Sequence, residues 1–212
     1  MADQDKDIVL IDGENLLHQI AHALLAAKKI KHRKDIIKFD LRGLIAAVLS
    51  TEPGDLEIIY YTTKIRLVRK TKDLQEKTQS IIDQQRRWKR NLTNQNIQYI
   101  TAGTLKIRDG LRCRQCGRQE VILQEKGVDV RLSIDLVLMA QKAKYKNIYI
   151  VSSDSDILPA FAYAKKIKAP IAYVAHESGI NIALLATAKR AVTFTTRQIT
   201  EAFDRGNRGV KL

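Results

Sequence analysis

Two apolar stretches of the chain run directly into carboxylates, and this pattern suggests the first chemistry. Ile8-Val-Leu-Ile leads into Asp12-Gly-Glu-Asn15, and Ile148-Tyr-Ile-Val-Ser-Ser leads into Asp154-Ser-Asp156. Four apolar residues bury a strand, and the acid that ends it is then fixed at the edge of a sheet. If the two strands are neighbours, Asp12 and Asp154 lie within a few ångströms of each other. Carboxylates that close repel unless a proton or a cation neutralises them. An all-oxygen donor set suits Mg²⁺ or Mn²⁺, which keeps waters and accepts phosphate oxygens of a substrate. Each acid also precedes a helix and could serve only as its N-cap. Twin strands ending the same way, with Asp156 and Asn15 beside the two acids, favour a metal.

A third acid comes from the segment Lys126-Gly-Val-Asp129-Val-Arg-Leu-Ser-Ile-Asp135, which reads as a helix feeding the strand that ends near Asp154. Asp129 falls in its first turn, where a carboxylate also suits the helix dipole. Asp135 sits in an apolar run, where an unpaired carboxylate is costly, so an ion pair with Arg131 is its alternative. The two are six positions apart and do not share a helix face, so they compete for one place at the metal. Among the histidines, His18 and His22 read as partly buried residues of the first helix, and His176 follows a strand and could approach the site.

Strands alternating with helices must carry these residues. Strands are expected at 6–12, 56–61, 97–101, 147–152, 169–175 and 191–194. Helices are expected at 15–30, 40–50, 72–91, 128–144, 156–166, 181–188 and 196–203, by period and by turn residues. The fold class is therefore α/β, a three-layer sandwich around a mainly parallel sheet, with ligands expected beyond the carboxyl ends of the strands. Residues 104–124 alternate like a hairpin and read as an inserted basic β-ribbon with Cys113 and Cys116 at its tip. The domain is expected to span 1–205, with 206–212 a loose tail.

The chain carries 37 Lys and Arg against 23 Asp and Glu, a net charge of +14, which favours a polyanion such as nucleic acid. Lys64, Arg66, Arg69 and Lys70 follow the second strand, and Arg108, Arg112 and Arg114 lie on the ribbon; both groups could grip an RNA backbone. Tyr61 could stack on a base. Trp88, among Arg86, Arg87, Lys89 and Arg90, could face RNA or turn inward. Two cysteines exclude a disulfide framework, and Cys113-x-x-Cys116 supplies half of a zinc knuckle, so zinc is less favoured there than two reduced thiols. The longest apolar runs are strand-sized, short of the roughly 20 residues of a membrane span, and the polar N-terminus is unlike a secretory signal. A cytoplasmic protein is expected. The final helix and the cysteine tip could both support a homodimer.

The motifs Asp12-Gly-Glu-Asn15, Lys126-Gly-Val-Asp129 through Asp135, and Ser152-Ser-Asp154-Ser-Asp156-Ile-Leu-Pro159 together resemble the NYN (LabA-like) domains of the PIN-like nuclease superfamily. The resemblance covers roughly Asp7 to Ala175. It implies a five-stranded parallel core and a divalent-metal site built from Asp12, Asp129 or Asp135, and Asp154. Asp156 would be an accessory acid, and Asn15 would orient Asp12 or the substrate. Endonucleolytic cleavage of RNA is the implied activity. A non-catalytic RNA-binding module on the same fold is the alternative, and an aspartyl phosphatase or phosphotransferase is a distant third, since its acidic pair should follow the first strand.

Overall fold

Side-chain alternation along the first strand, β1 (Asp7–Asp12), divides the core in two. Val9 and Ile11 face one side of the sheet, and Ile8 and Leu10 face the other. The same parity puts Asp12 on the side of Ile8 and Leu10. The structure, a computed structural model, describes residues 6–69, 71–112, 114–117 and 119–208, with backbone alone at 105–109, 119–121 and 123–125.

After β1 come α1 (Gly13–Ala26), a 3-10 turn (Arg33–Ile36), α2 (Leu41–Leu49), β2 (Leu56–Lys64) and α3 (Lys72–Asn94). The chain continues through β3 (Gln98–Arg112), β4 (Gln119–Lys126), α4 (Val128–Lys142), β5 (Ile148–Val151) and α5 (Leu158–Lys166). It closes with β6 (Ile171–His176), α6 (Ile182–Thr187), β7 (Ala191–Phe194) and α7 (Thr196–Arg208). The sheet order is β4-β3-β2-β1-β5-β6-β7, parallel throughout except for β4, which runs antiparallel to β3. α1, α2, α3 and α7 cover one face through Leu16, Leu44, Trp88 and Ile199. α4, α5 and α6 cover the other through Leu132, Phe161 and Leu184.

Chain order turns around between β1 and β5, which pair from Ile8↔Ile148 to Ile11↔Val151. Helices leave the two strands toward opposite faces, so their carboxyl ends open a crevice there. Asp12 and Asp154 sit at that point.

The sheet has seven strands among the described residues: the six expected from the alternation, where the resemblance implied a parallel core of five, and β4. β3 runs without a break from the parallel sheet into the segment read as a ribbon, and β4 returns along its edge from Arg112↔Gln119 to Thr104↔Lys126. Two further expectations are corrected at the C-terminus. Residues 206–208, expected in a loose tail, belong to α7, and Gly206 lies against the Lys38 carbonyl too closely for any side chain. The apolar face of α7, Ile199 and Ala202 with Phe203, is spent in the core and is not left for a dimer.

Candidate metal centre

Asp12 ends β1 and caps α1: its Oδ1 accepts the Asn15 N–H at 3.3 Å. Its Oδ2 accepts the Ser152 hydroxyl at 3.0 Å, and the Asp154 N–H donates to the same Ser152 oxygen at 3.0 Å. Ser152 therefore ties the two strand-end acids together. Asp154 in turn caps the 3-10 turn Ser155–Ile157, accepting the Asp156 N–H at 2.9 Å. Both acids act as caps, as the simpler reading held, and still leave oxygens directed at each other.

Asp129 supplies the third carboxylate. β4 delivers the chain to Gly127, whose φ of +93° starts α4 in a left-handed conformation that glycine adopts without strain. That turn lays the first turn of α4 over the end of β1. Oxygens of Asp12, Asp129 and Asp154 lie within 4.8 Å of one another. A cation bound at about 2.1 Å spans oxygens up to about 4.2 Å apart, so modest side-chain rotation closes the set on an ion. The donors are three hard oxygens with no sulfur or imidazole among them, which fits Mg²⁺ or Mn²⁺.

The electrostatics agree. Burial pushes the Asp12 carboxyl up to about 6, against the Asn15 and Ser152 hydrogen bonds, and the charges of Asp129 and Asp154 add to the rise. Asp129 is also raised, first by burial and then by Asp154. Only 6% of Asp12 is exposed, so a cation would relieve a repulsion that water relieves poorly.

Asp135 is not part of this cluster. It is buried about two turns along α4, where Tyr61 Oη donates to it at 2.9 Å and Arg131 Nε at 2.9 and 3.0 Å. The ion pair with Arg131 read from the sequence is therefore present. Tyr61, expected to stack on a base, is 0% exposed: strand alternation turns it under α4. Asp156 is exposed and close enough to Asp129 to raise its pKa further.

Asn15 lies one step away from the acids. Its Nδ2 donates to Ser153 Oγ at 2.7 Å, and its Oδ1 accepts the Ser153 N–H at 3.1 Å and Gln19 Nε2 at 3.0 Å. Asn181 Nδ2 holds the Ser153 carbonyl at 3.0 Å. Together they clamp the loop that presents Asp154. Ser152, Ser153, Gln19 and Asn181 escaped the sequence reading. Only the Ser152-Ser153 doublet, polar directly after an apolar strand, hinted at them.

The three acids line a cavity of about 390 Å³ together with Glu14, His18 and Lys126. His18 and His22 are exposed rather than partly buried, because Leu16, Ile20 and Leu24 take the inner face of α1. His176 is 3% exposed; its ring contacts Ser178 at 2.7 Å and Thr196 at 3.2 Å, and burial lowers its pKa. It is a packed residue and does not line the cavity of the three acids.

Lys64, Arg66, Arg69, Arg112 and Arg114 are exposed. Arg112 Nε donates to the Gly117 carbonyl at 2.9 Å, closing the turn at the end of β3. Lys70 and Cys113 lie outside the described residues, as does the Arg108 side chain; Cys116 is an exposed free thiol. No helix among the described residues is long and apolar enough to cross a membrane.

The sequence matches the family model of the NYN domain over residues 7–195. No curated protein matches it. Among solved structures, a protein of unknown function from Vibrio parahaemolyticus is similar with a TM-score of 0.52 at 12% identity, over 92% of this chain and 96% of that one. That likeness shows a shared fold.

Proposed function

Since the chain belongs to the NYN domain family, and so to the PIN-like nuclease superfamily, we propose that it is a divalent-metal-dependent endoribonuclease. The observation that carries this reading is the convergence of Asp12, Asp129 and Asp154 at the point where strand order reverses, on a molecule of net charge +14. An acidic pit inside a basic surface can hold a cation and a phosphodiester together.

In this reading Asp12, Asp129 and Asp154 hold Mg²⁺ or Mn²⁺. Such an ion lowers the pKa of a bound water and neutralises phosphate charge. The chain's own groups prepare the rest. Ser152 ties the Asp12 carboxylate to the Asp154 backbone, and Asn15 secures the loop beneath Asp154. Asp156, exposed beside Asp129, is an accessory acid for positioning water at the cleft mouth. Lys126 and His18 line the cleft, where positive charge and a hydrogen-bond donor can meet phosphate oxygens. Hydrolysis proceeds in line and expels the 3′-oxygen. Lys64, Arg66, Arg69 and Lys70, with Arg108, Arg112 and Arg114, hold the flanking backbone.

Replacing Asp154 by Asn tests this. Cleavage of single-stranded RNA in Mg²⁺ or Mn²⁺ should fall by at least about 10²-fold, a loss typical of removing one electrostatic contact to the reacting phosphate. RNA affinity in chelator should stay within about twofold, since backbone cations carry it. Equal cleavage by both proteins would refute the metal site. RNA binding by the wild type with no cleavage under any divalent cation would favour the non-catalytic binding module.

A further inference from the structure

A second cavity, of about 410 Å³, opens on the other face of the sheet, between α1, the 3-10 turn at Arg33–Ile36 and α3. Its aromatic lining is Tyr60, Tyr99 and Trp88. Tyr60 and Tyr99 stack at 5.6 Å with 15° between their planes, and Trp88 meets Tyr60 edge-on at 6.2 Å. The far side of this group is also engaged, with Lys89 Nζ 5.6 Å from the Tyr99 ring centre. Trp88 is 7% exposed, and its Nε1 lies near the Tyr60 hydroxyl without reaching hydrogen-bonding geometry. A buried indole N–H without an acceptor is uncommon and calls for an explanation.

This cavity adjoins the metal centre. Glu14, two residues after Asp12, lines both. Tyr60 Oη donates to the Gly13 carbonyl at 2.7 Å, so the aromatic floor is fastened to the turn that carries Asp12. Gly13 has to be glycine here, because a Cβ would fall 2.3 Å from the Tyr60 ring. At the mouth, Arg33 pairs with Glu14 at 2.5 Å, and Lys34 and Gln84 flank them.

Resting on the ribonuclease reading, we propose that this cavity is a nucleobase subsite, taking one unstacked base of the RNA strand whose backbone crosses the aspartate cluster. Its volume lies in the range of small-molecule sites. Aromatic and apolar walls suit the faces of a planar heterocycle, and single-stranded RNA is read by bases splayed out against such walls. Gln84 and Glu14 offer an amide and a carboxylate to the polar edge of a base, and an acceptor on that edge could use the Trp88 N–H. Arg33 and Lys34 lie where the adjoining phosphates would pass. A free monomer could use the same walls, but Glu14, shared with the metal centre, ties the subsite to the strand being cut.

Trp88 is the chain's single tryptophan, so its emission reports on this cavity directly. A short single-stranded RNA, end-labelled, is titrated in chelator, where no cleavage can occur. Label anisotropy follows binding anywhere on the protein, and Trp88 emission follows the cavity. Saturable quenching with the same midpoint as the anisotropy is expected. The same backbone with abasic residues should bind about fivefold more weakly and leave Trp88 unquenched. Ile81→Phe, which narrows the cavity from α3, and Gln84→Ala, at its mouth, should each weaken the intact RNA by about fivefold with unchanged melting temperatures. Binding seen by anisotropy with constant Trp88 emission and equal affinity for the abasic strand would overturn the subsite and leave the ribonuclease reading standing. Quenching by free mononucleotides but not by the strand would likewise overturn it. No RNA binding by either signal would overturn the ribonuclease reading as well.

Discussion

Asp12 concentrates the account into one residue. It is buried, it is hydrogen-bonded by Asn15 and Ser152, and it shares its space with two other acids. Its carboxyl is raised from 3.8 to about 6, so between those values the folded chain holds a proton that the unfolded chain has released. Stability from this group is therefore complete below about pH 4 and lost as pH rises through about 6, by an amount on the order of 3 kcal/mol. Without metal, Asp12→Asn should raise the melting temperature at pH 7.5 and change it little at pH 4. Mn²⁺ should raise the wild-type melting temperature more at pH 7.5 than at pH 5, because the ion binds the ionised carboxylate. Melting curves by calorimetry check both. A lower melting temperature for Asp12→Asn at pH 7.5 would contradict this picture of the site. Asp12 and Asp154 could be read from the sequence because an acid ending a buried strand leaves a pattern. Gln19 and Asn181 leave none, since polar residues that bond across the loops have no fixed spacing, and Ser152 leaves only the hint of a polar doublet after an apolar strand.

At the level of elements, α4 decides which acid joins the pair. Sequence spacing showed that Asp129 and Asp135 cannot serve together, but not which one faces the strand ends. Gly127 settles this by starting the helix above β1, and Tyr61 completes it by rising from β2 to occupy Asp135. Tyr61 itself was misjudged because a Tyr-Tyr pair on a strand necessarily splits between faces, and composition does not say which face is covered. Tyr61→Phe should destabilise the fold by about 1 kcal/mol, measured by denaturant unfolding, with metal-dependent activity within about threefold of wild type. Gly127→Ala places a Cβ at φ +93° and should cost about 1–2 kcal/mol. It should also lower cleavage more than Tyr61→Phe does, because Asp129 follows two residues later. The alternation of strands and helices predicted the sheet well, and the alternation within 104–124 predicted an antiparallel hairpin, but not that its first strand continues unbroken from the parallel β3. β3 pairs with β2 up to Thr104 and with β4 from there on, and periodicity within each strand does not reveal pairing.

Across the whole molecule, a net charge of +14 surrounds an acidic crevice at the switch point of a mainly parallel sheet. Backbone neutralisation by exposed cations makes affinity fall with salt, with a slope of about −0.7 in log–log terms for each contact with a single strand. Lys64→Ala and Arg66→Ala should each reduce that slope by up to about 0.7 in filter-binding titrations, leaving cleavage at saturating RNA nearly unchanged. An unaltered slope in both variants would place the RNA elsewhere on the surface. Charge and the alternation of strands with helices were both legible from sequence at this scale. The second cavity was not, because it is assembled from α1, β2, β3 and α3, which only the folded sheet brings together.

The most direct test of the central claim is single-turnover cleavage of RNA against Mn²⁺ concentration for the wild type, Asp129→Asn and Asp135→Asn. Three converging carboxylates at Asp12, Asp129 and Asp154 predict saturable Mn²⁺ activation of the wild type. They also predict a loss of at least about 10²-fold for Asp129→Asn, while Asp135→Asn keeps the wild-type Mn²⁺ dependence even if its melting temperature falls. Activity that survives Asp129→Asn and disappears with Asp135→Asn, in proteins that remain folded, would contradict the account.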